Sequence, residues 1–211
     1  MRQLLSAAFT AVLLVCPTFA ARVDYFPPGT LDDTPESSLS KEQWYSKHLK
    51  ALKEPSLWEL SKTQKSETYR FLWLRTFHHP ISVRLDVNPN GTSMLTTKTT
   101  SGQGGYEPGT LVVNKKRALT KEQTDWFLDR IAELGFWGLP AFEKPHEGIG
   151  PNGEKTVEIG LDGAQWILEG IKDGKYQVTD RWSPNTGPVR TLGIIMVIDL
   201  AKLKLLYEDV Y

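Results

Sequence analysis

Apolar residues recur at every second position in several segments of the chain, which is the pattern of β-strands with one buried face. The alternation runs over residues 69–73 and again over 81–87. Asn90-Gly91 predicts a hairpin turn into residues 94–100, and a further strand is expected near residues 111–115. The first half of the chain is therefore predicted to form antiparallel strands.

Two helix starts are indicated by capping boxes, in which a hydroxyl residue is followed three positions later by Gln or Glu. Ser40 with Gln43 predicts the start of an N-terminal helix. Thr120 with Gln123 predicts a second helix, which Gly135 ends.

Residues 155–182 predict a three-stranded meander, because Asp162-Gly163 and Asp173-Gly174 both suit two-residue hairpin turns. The two turns set the register of the paired residues. The expected pairs are Leu161 with Ala164, Ile159 with Trp166, Val157 with Leu168, Leu168 with Thr179, and Trp166 with Arg181, whose side chain is expected against the Trp166 ring.

A last helix is expected from Pro188 to about residue 206, because proline suits the first helical turn. Each half of the chain then ends in a helix that follows its strands. The sequence therefore predicts an α+β fold: an antiparallel sheet from two β-β-β-α halves with helices on one face, preceded by a short N-terminal helical segment.

The meander register predicts one apolar face and one mixed face. The mixed face carries two kinds of side chain, carboxylates and aromatic rings: Glu158, Glu169, Tyr176, Asp180 and Trp182. Such a face can bind a ligand or a partner protein. An ordinary solvated strand face explains the same alternation.

Coverage of this mixed face by the N-terminal helices would change its chemistry. Buried carboxylates would then need cationic partners, and Arg75 and Arg190 are the candidates.

Glu169 and Asp180 are diagonal neighbours in the predicted register, so they are the candidates for an acid/base pair. His78 is a further candidate general base. No metal site is expected, because the adjacent His78 and His79 would point to opposite faces of a strand. No cofactor is predicted.

The stretch Ser101–Gly109 is rich in glycine and places Tyr106 and Glu107 between glycines and a proline. A glycine-rich loop with one aromatic ring can close over a ligand. A long hairpin connection would have the same composition.

Residues 1–20 have the pattern of a secretory signal peptide: Arg2, an apolar stretch, and small residues Thr18 and Ala20 before the cleavage point. The apolar stretch is too short to span ~30 Å of hydrocarbon, so no transmembrane span is expected in the mature chain. Leu14 and Val15 before Cys16 disfavour lipidation, since a small residue normally precedes a lipidated cysteine.

Cleavage after Ala20 removes Cys16, the single cysteine of the chain, so the mature protein is expected to form no disulfide. This favours a bacterial periplasmic or secreted location. Residues 21–39, which contain prolines and an acidic run, are predicted to be a flexible linker before a single α+β domain at 40–211.

The charge balance narrows the function classes. Lys and Arg number 25 against 25 Asp and Glu, which argues against a nucleic-acid partner. We therefore predict an exported, non-enzymatic binding module whose partner is an envelope protein or a glycan. The alternative is a hydrolase of envelope glycan or polymer that uses the carboxylate pair.

Overall fold

The computed structural model describes residues 24–144, 147–149, 152, 155–157, 162–206 and 209–211. Residues 1–20, with the predicted signal peptide, and Glu158 of the mixed face lie outside the described residues. The helices are α1 (Pro35–Ala51), α2 (Leu57–Thr63), α3 (Lys121–Glu133) and α4 (Pro188–Ile194), which continues into a π-helical turn (Ile195–Leu200). The strands are β1 (Glu67–Arg75), β2 (Ile81–Val87), β3 (Ser93–Thr100), β4 (Leu111–Leu119), β5 (Glu147–Ile149), β6 (Lys155–Val157), β7 (Ala164–Lys172) and β8 (Lys175–Trp182).

Six of these strands form an antiparallel sheet in the order β4-β3-β2-β1-β7-β8, while β5 pairs with β6. The protein therefore has a mixed α+β fold, as predicted. β1 lies in the interior of the sheet and is buried along nearly its whole length. Its pairing with β7 places Phe71 opposite Leu168 and Trp73 opposite Trp166.

The predicted first hairpin of the meander is wrong. β7 has β1 on one edge and β8 on the other, and β6 pairs with β5. The second hairpin is confirmed, with Leu168 opposite Thr179 and Trp166 opposite Arg181. Asp173-Gly174 forms its turn with both φ angles positive, at 53° and 79°, as a type I′ turn requires.

Helices lie on both faces of the large sheet, with α3 and α4 on one face and α1 on the other, so the predicted placement on one face is not confirmed. The division into two β-β-β-α halves is not confirmed either, because four strands precede α3. We call the side of the sheet with Phe71 and Trp73 the apolar face; it packs against α3, α4 and the π-helical turn. We call the side with Arg70 and Glu169 the charged face; it packs beneath α1 and residues 25–31.

The helix α1 begins at Pro35 and not at Ser40. Thr34 caps it, since the Thr34 hydroxyl accepts a hydrogen bond from the backbone N–H of Ser37, and proline suits the first helical turn. Much of the segment predicted to be a flexible linker is packed into the protein. Tyr25, Phe26 and Leu31 are buried, and this apolar surface outweighs the linker-like composition around it.

The starts of the two later helices agree with the sequence predictions. Thr120 and Gln123 form the predicted capping box, and Gly135 follows the helix with φ 63°. The last helix begins at Pro188 as predicted but ends at Leu200, short of the predicted residue 206, and most of its apolar residues from Ile195 are buried beside the apolar face. Across the described ranges, no helix has the length and hydropathy that crossing a bilayer requires.

Candidate functional site

The predicted mixed face is the charged face of the sheet, and it is not an open surface. Glu169 and Asp180 are buried, Tyr176 is half-buried, and Trp182 at the end of β8 is 42% exposed. Of the two alternatives left open by the sequence, the solvated strand face is therefore wrong for the two carboxylates, and the face covered by the N-terminal helical layer is the one observed. Alternating charge on a strand is typical of a solvated face, and β7 and β8 carry no signal of the helices that cover them.

Glu169 forms a fully paired carboxylate. Arg70 Nε and Nη2 both donate to Glu169 Oε2, the first at 2.8 Å, and the Tyr176 hydroxyl donates to Oε1 at 2.8 Å. Burial raises the pKa of the Glu169 carboxyl, and the Arg70 guanidinium opposes this rise. Glu169 is fully buried and both of its oxygens are already hydrogen-bonded within the protein, so it does not face a substrate as a general base.

A second carboxylate, Glu54, extends this network into the connection between α1 and α2. Its Oε2 lies 2.8 Å from Arg84 Nη1 and 3.8 Å from Arg70 Nη1, and its Oε1 lies 2.8 Å from Lys98 Nζ. Lys98 also donates to the backbone carbonyl of Lys53 at 2.6 Å. Glu54 thus joins three sheet strands, β1, β2 and β3, to the helical layer, which indicates a structural role.

Asp180 has partners of its own. Its Oδ2 accepts a hydrogen bond from the Tyr45 hydroxyl at 2.9 Å and lies 3.2 Å from Lys41 Nζ. Burial raises the pKa of Asp180, while Lys41 lowers it. Arg70 and Lys41 thus take the roles that the sequence analysis gave to Arg75 and Arg190.

Those two arginines lie elsewhere. Arg75 contacts the Trp73 ring, and Arg190 lies 5.5 Å from the centre of the Trp166 ring. The predicted contact of Arg181 with Trp166 is not present, because Arg181 Nε lies 2.7 Å from Glu143. An arginine does lie over Trp166, but it comes from α4.

His78 is not positioned to act as a free base. Its Nε2 lies 3.1 Å from Asp209 Oδ1, and its Nδ1 lies 2.8 Å from the Tyr211 hydroxyl oxygen. Both ring nitrogens therefore hold the segment 209–211 against the end of β1. Elsewhere in the described chain, no three His, Cys, Asp or Glu side chains are grouped so that they could hold a metal ion.

An open groove with a volume of about 400 Å³ lies beside the charged face. Five parts of the chain contribute to it: α1, the end of β1, the loop 101–109, the start of β7 and the end of β8. We call this the aromatic groove, because four of its lining residues carry aromatic rings: Trp44, Tyr45, Tyr106 and Trp182. Tyr106 is 53% exposed, so its ring is available to a ligand.

The glycine-rich loop owes its position to close backbone contacts. Gly104 N–H donates to the carbonyl of His78 at 2.9 Å, and Gly105 N–H donates to that of Thr76 at 3.1 Å. A Cβ atom on Gly104 would lie 2.5 Å from the Arg75 carbonyl oxygen, which is closer than any side chain tolerates. Glycine therefore lets the loop rest on the end of β1 and hold Tyr106 at the rim of the groove.

The polar lining of the groove carries little uncompensated charge. Lys41 Nζ lies 3.0 Å from Asp32 and 3.2 Å from Asp180, so its charge is balanced. Gln165 Oε1 is buried and has no hydrogen-bond partner within the described structure. Asp162 is the exposed carboxylate of the lining.

Two residues of this groove could be identified from the sequence. Trp182 and Tyr106 were both candidates, but on separate surfaces, and the fold brings them together. Trp44 and Gln165 were missed. Trp44 follows the apolar spacing of α1, which is typical of a core residue, but it is half-buried, whereas its neighbour Tyr45 is buried.

Comparisons with known proteins add no family to this description: no protein-family model matches the chain, and no curated protein matches it significantly.

Proposed function

We propose that the protein is an exported binding module that holds a neutral glycan in the aromatic groove. The observation that carries this proposal is the convergence of three aromatic rings from three separate elements, two of them exposed and one, that of Trp44, half-buried. Trp44 comes from α1, Tyr106 from the glycine-rich loop and Trp182 from the end of β8. Their association in one groove depends on the tertiary fold and not on a local sequence pattern.

The chemistry of the groove suits a sugar. Aromatic faces pack against the C–H faces of pyranose rings, and tryptophan and tyrosine combine such a face with a polar atom. A buried acceptor without a partner costs free energy, and a sugar hydroxyl could recover this by donating to Gln165 Oε1. The volume of about 400 Å³ falls in the range of small-molecule sites.

The charge distribution favours a neutral ligand over an anionic or a cationic one. Lys41 is neutralised by Asp32 and Asp180, so the groove lacks the unpaired cation that would attract an acidic ligand. The lining has one exposed carboxylate, Asp162, whereas most glycoside hydrolases use a pair of carboxylates. Binding is therefore favoured over hydrolysis.

Export is the second part of the proposal and rests on the sequence pattern of residues 1–20. A periplasmic or secreted location would place the groove among envelope or extracellular polysaccharides. N-terminal sequencing of the protein isolated from the periplasm or the medium should give Ala21 as the first residue. Recovery of the uncleaved chain from the cytoplasm would contradict export.

Trp182→Ala tests the groove directly. Binding to a glycan array, followed by calorimetry on the glycans that are retained, should show a loss of affinity of about tenfold or more, as is typical when an aromatic anchor is removed. Trp126→Ala is a matched control, because Trp126 on α3 is 41% exposed and Trp182 is 42% exposed. Equal effects of the two substitutions, or no glycan bound by the wild type, would contradict the proposal.

A further inference from the structure

A second hollow lies on the other side of Tyr106. Its volume is about 550 Å³, and its lining includes Phe77, His79 and Gln103 together with Tyr106 and Glu107. We call it the Phe77 pocket. Tyr106 lines both this pocket and the aromatic groove, so the two hollows share one wall.

The wall that the two hollows share is formed by the glycine-rich loop, residues 101–109. Gly104 and Gly105 rest on the backbone at the end of β1, and Tyr106 follows them directly. The loop is also held from the α1 side, because Lys47 Nζ lies 2.5 Å from Glu107 Oε1. The backbone that carries Tyr106 is therefore held in place, and a ligand that fills both hollows must pass Tyr106, because this residue lines each of them.

The Phe77 pocket has the same chemical character as the groove. Phe77 is 51% exposed, and its ring lies 6.3 Å from that of Tyr106 with an angle of 34° between the two planes. Two aromatic rings exposed to this extent and in contact present a continuous apolar surface, which on a folded protein commonly marks a binding site.

The polar groups of the pocket are suited to hydroxyl donors. His79 Nδ1 lies 2.7 Å from the carbonyl oxygen of Gly102, which can only accept, so Nδ1 carries the proton and Nε2 of the neutral ring is an acceptor. Gln103 Nε2 donates to the carbonyl of Phe77, which leaves Gln103 Oε1 as a second acceptor. Glu107 is paired with Lys47, so the pocket, like the groove, carries balanced charge.

We infer that the two hollows are adjacent subsites for one linear, neutral oligosaccharide, which lies along the groove, crosses Tyr106 and continues over Phe77. This inference rests on the proposed function and adds the form of the ligand. A single sugar ring or a disaccharide would occupy one hollow. A longer chain would occupy both and gain the contacts of the Phe77 pocket.

Affinity measured against chain length tests this inference. The probes are the disaccharides and hexasaccharides of three neutral series: β-1,4-linked N-acetylglucosamine, β-1,4-linked glucose and α-1,4-linked glucose. For a series that binds, the hexasaccharide should bind the wild type about tenfold or more tightly than the disaccharide. Phe77→Ala should remove most of this gain and leave disaccharide affinity unchanged, whereas Trp182→Ala should weaken both lengths.

The remaining outcomes separate the two claims. Binding that is equally tight for both lengths, and unaffected by Phe77→Ala, would overturn the extended site while leaving the proposed function intact. No binding by any member of the three series would count against both. Phe77→Trp is the second variant: it keeps a ring in the pocket and should retain the length dependence, which a merely destabilised protein would lose.

Discussion

The two faces of the central sheet are both buried, but they are built from different chemistry. On the apolar face, Phe71, Trp73 and Trp166 pack with ring centres 5.0 to 6.2 Å apart. On the charged face, Arg70 and Glu169 form an ion pair beneath the helical layer. The same two strands supply both faces, because alternate residues of a strand point in opposite directions.

Because of this difference, the two faces should be destabilised by different kinds of substitution. An apolar core depends on volume and shape, so it tolerates substitutions that conserve both. A buried ion pair depends on the presence of every partner, because loss of one leaves an uncompensated charge in a medium of low polarity. We therefore expect the charged face to be the more sensitive to the loss of a single group.

The largest effect is expected for Arg70→Ala. This change leaves Glu169 buried beside Tyr176 without its guanidinium, and the free energy of unfolding at neutral pH should fall by about 3–5 kcal/mol. Urea denaturation followed by circular dichroism measures it.

The matched control replaces Arg70, Glu169 and Tyr176 together, so that no charge of the pair remains; the Pro55 carbonyl, which accepts from Arg70 Nη1, loses this donor in both variants. In Arg70→Met/Glu169→Leu/Tyr176→Phe, Glu54 keeps Arg84 and Lys98 as partners. This triple variant should be more stable than Arg70→Ala by about 2 kcal/mol or more, since apolar replacement of a buried pair is often neutral. If it is as unstable as the single variant, the sensitivity comes from packing and not from unpaired charge.

The next effect concerns pH. His48 on α1 is fully buried, and burial lowers its pKa to about 4 from the ordinary 6.5. Below pH 6.5 the unfolded chain therefore binds a proton at His48 that the folded chain does not bind. The free energy of unfolding falls for this reason as the pH drops from 6.5 to about 4. The contribution of this residue should reach about 3 kcal/mol near the lower limit.

His48→Leu removes this titration while filling the site with an apolar side chain. The stability difference between the wild type and this variant should change between pH 7 and pH 4 by the amount given above, against a background of carboxylates common to both proteins. A difference that is constant with pH would show that His48 has the same pKa in the folded and unfolded chains, which would contradict the lowered pKa.

A smaller effect is expected on the apolar face at Gly193 of α4. A Cβ atom there would lie 2.7 Å from the Trp166 ring, so Gly193→Ala should cost about 1–3 kcal/mol in spite of the better helix propensity of alanine. Gly138→Ala is the control, because a Cβ atom at Gly138 meets nothing within 4 Å. Thermal unfolding of both variants would decide the point, and equal melting temperatures would contradict the tight packing.

The smallest effect is expected for Leu168→Met, which keeps volume and polarity on the apolar face and should cost less than about 1.5 kcal/mol. Its neighbour Glu169 offers the opposing test. Glu169→Gln also keeps volume, yet it removes the charge that Arg70 faces and should cost more than Leu168→Met. The reverse order, measured by denaturation of both variants, would remove the distinction between the two faces.

Local chemistry accounts for the parts of the fold that could be predicted. The Asp173-Gly174 turn sets the β7–β8 register, and the capping box at Thr120 sets the start of α3, because each signal acts within a few residues. The pairing of β1 with β7 joins segments far apart in the chain, and the only local clue, Asp162-Gly163, favoured a hairpin that does not form.

The candidate site was predicted only in pieces, for the same reason. Trp182 and Tyr106 are candidate binding residues from the sequence, but nothing in their own segments places them in one groove. The burial of Glu169 could not be predicted from β7, because the helical layer above it comes from a distant part of the chain. Its true partner, Arg70, sits on β1 and could be recognised only once the β1–β7 pairing was known.

The charged face is expected to supply stability and the aromatic groove to supply binding, and one measurement separates these roles. Calorimetric titration should compare the triple variant Arg70→Met/Glu169→Leu/Tyr176→Phe with Trp182→Ala, using the hexasaccharide that binds the wild type. We predict that the folded triple variant binds with wild-type affinity and that Trp182→Ala binds about tenfold more weakly or worse. Loss of binding in the folded triple variant, or full binding by Trp182→Ala, would contradict it.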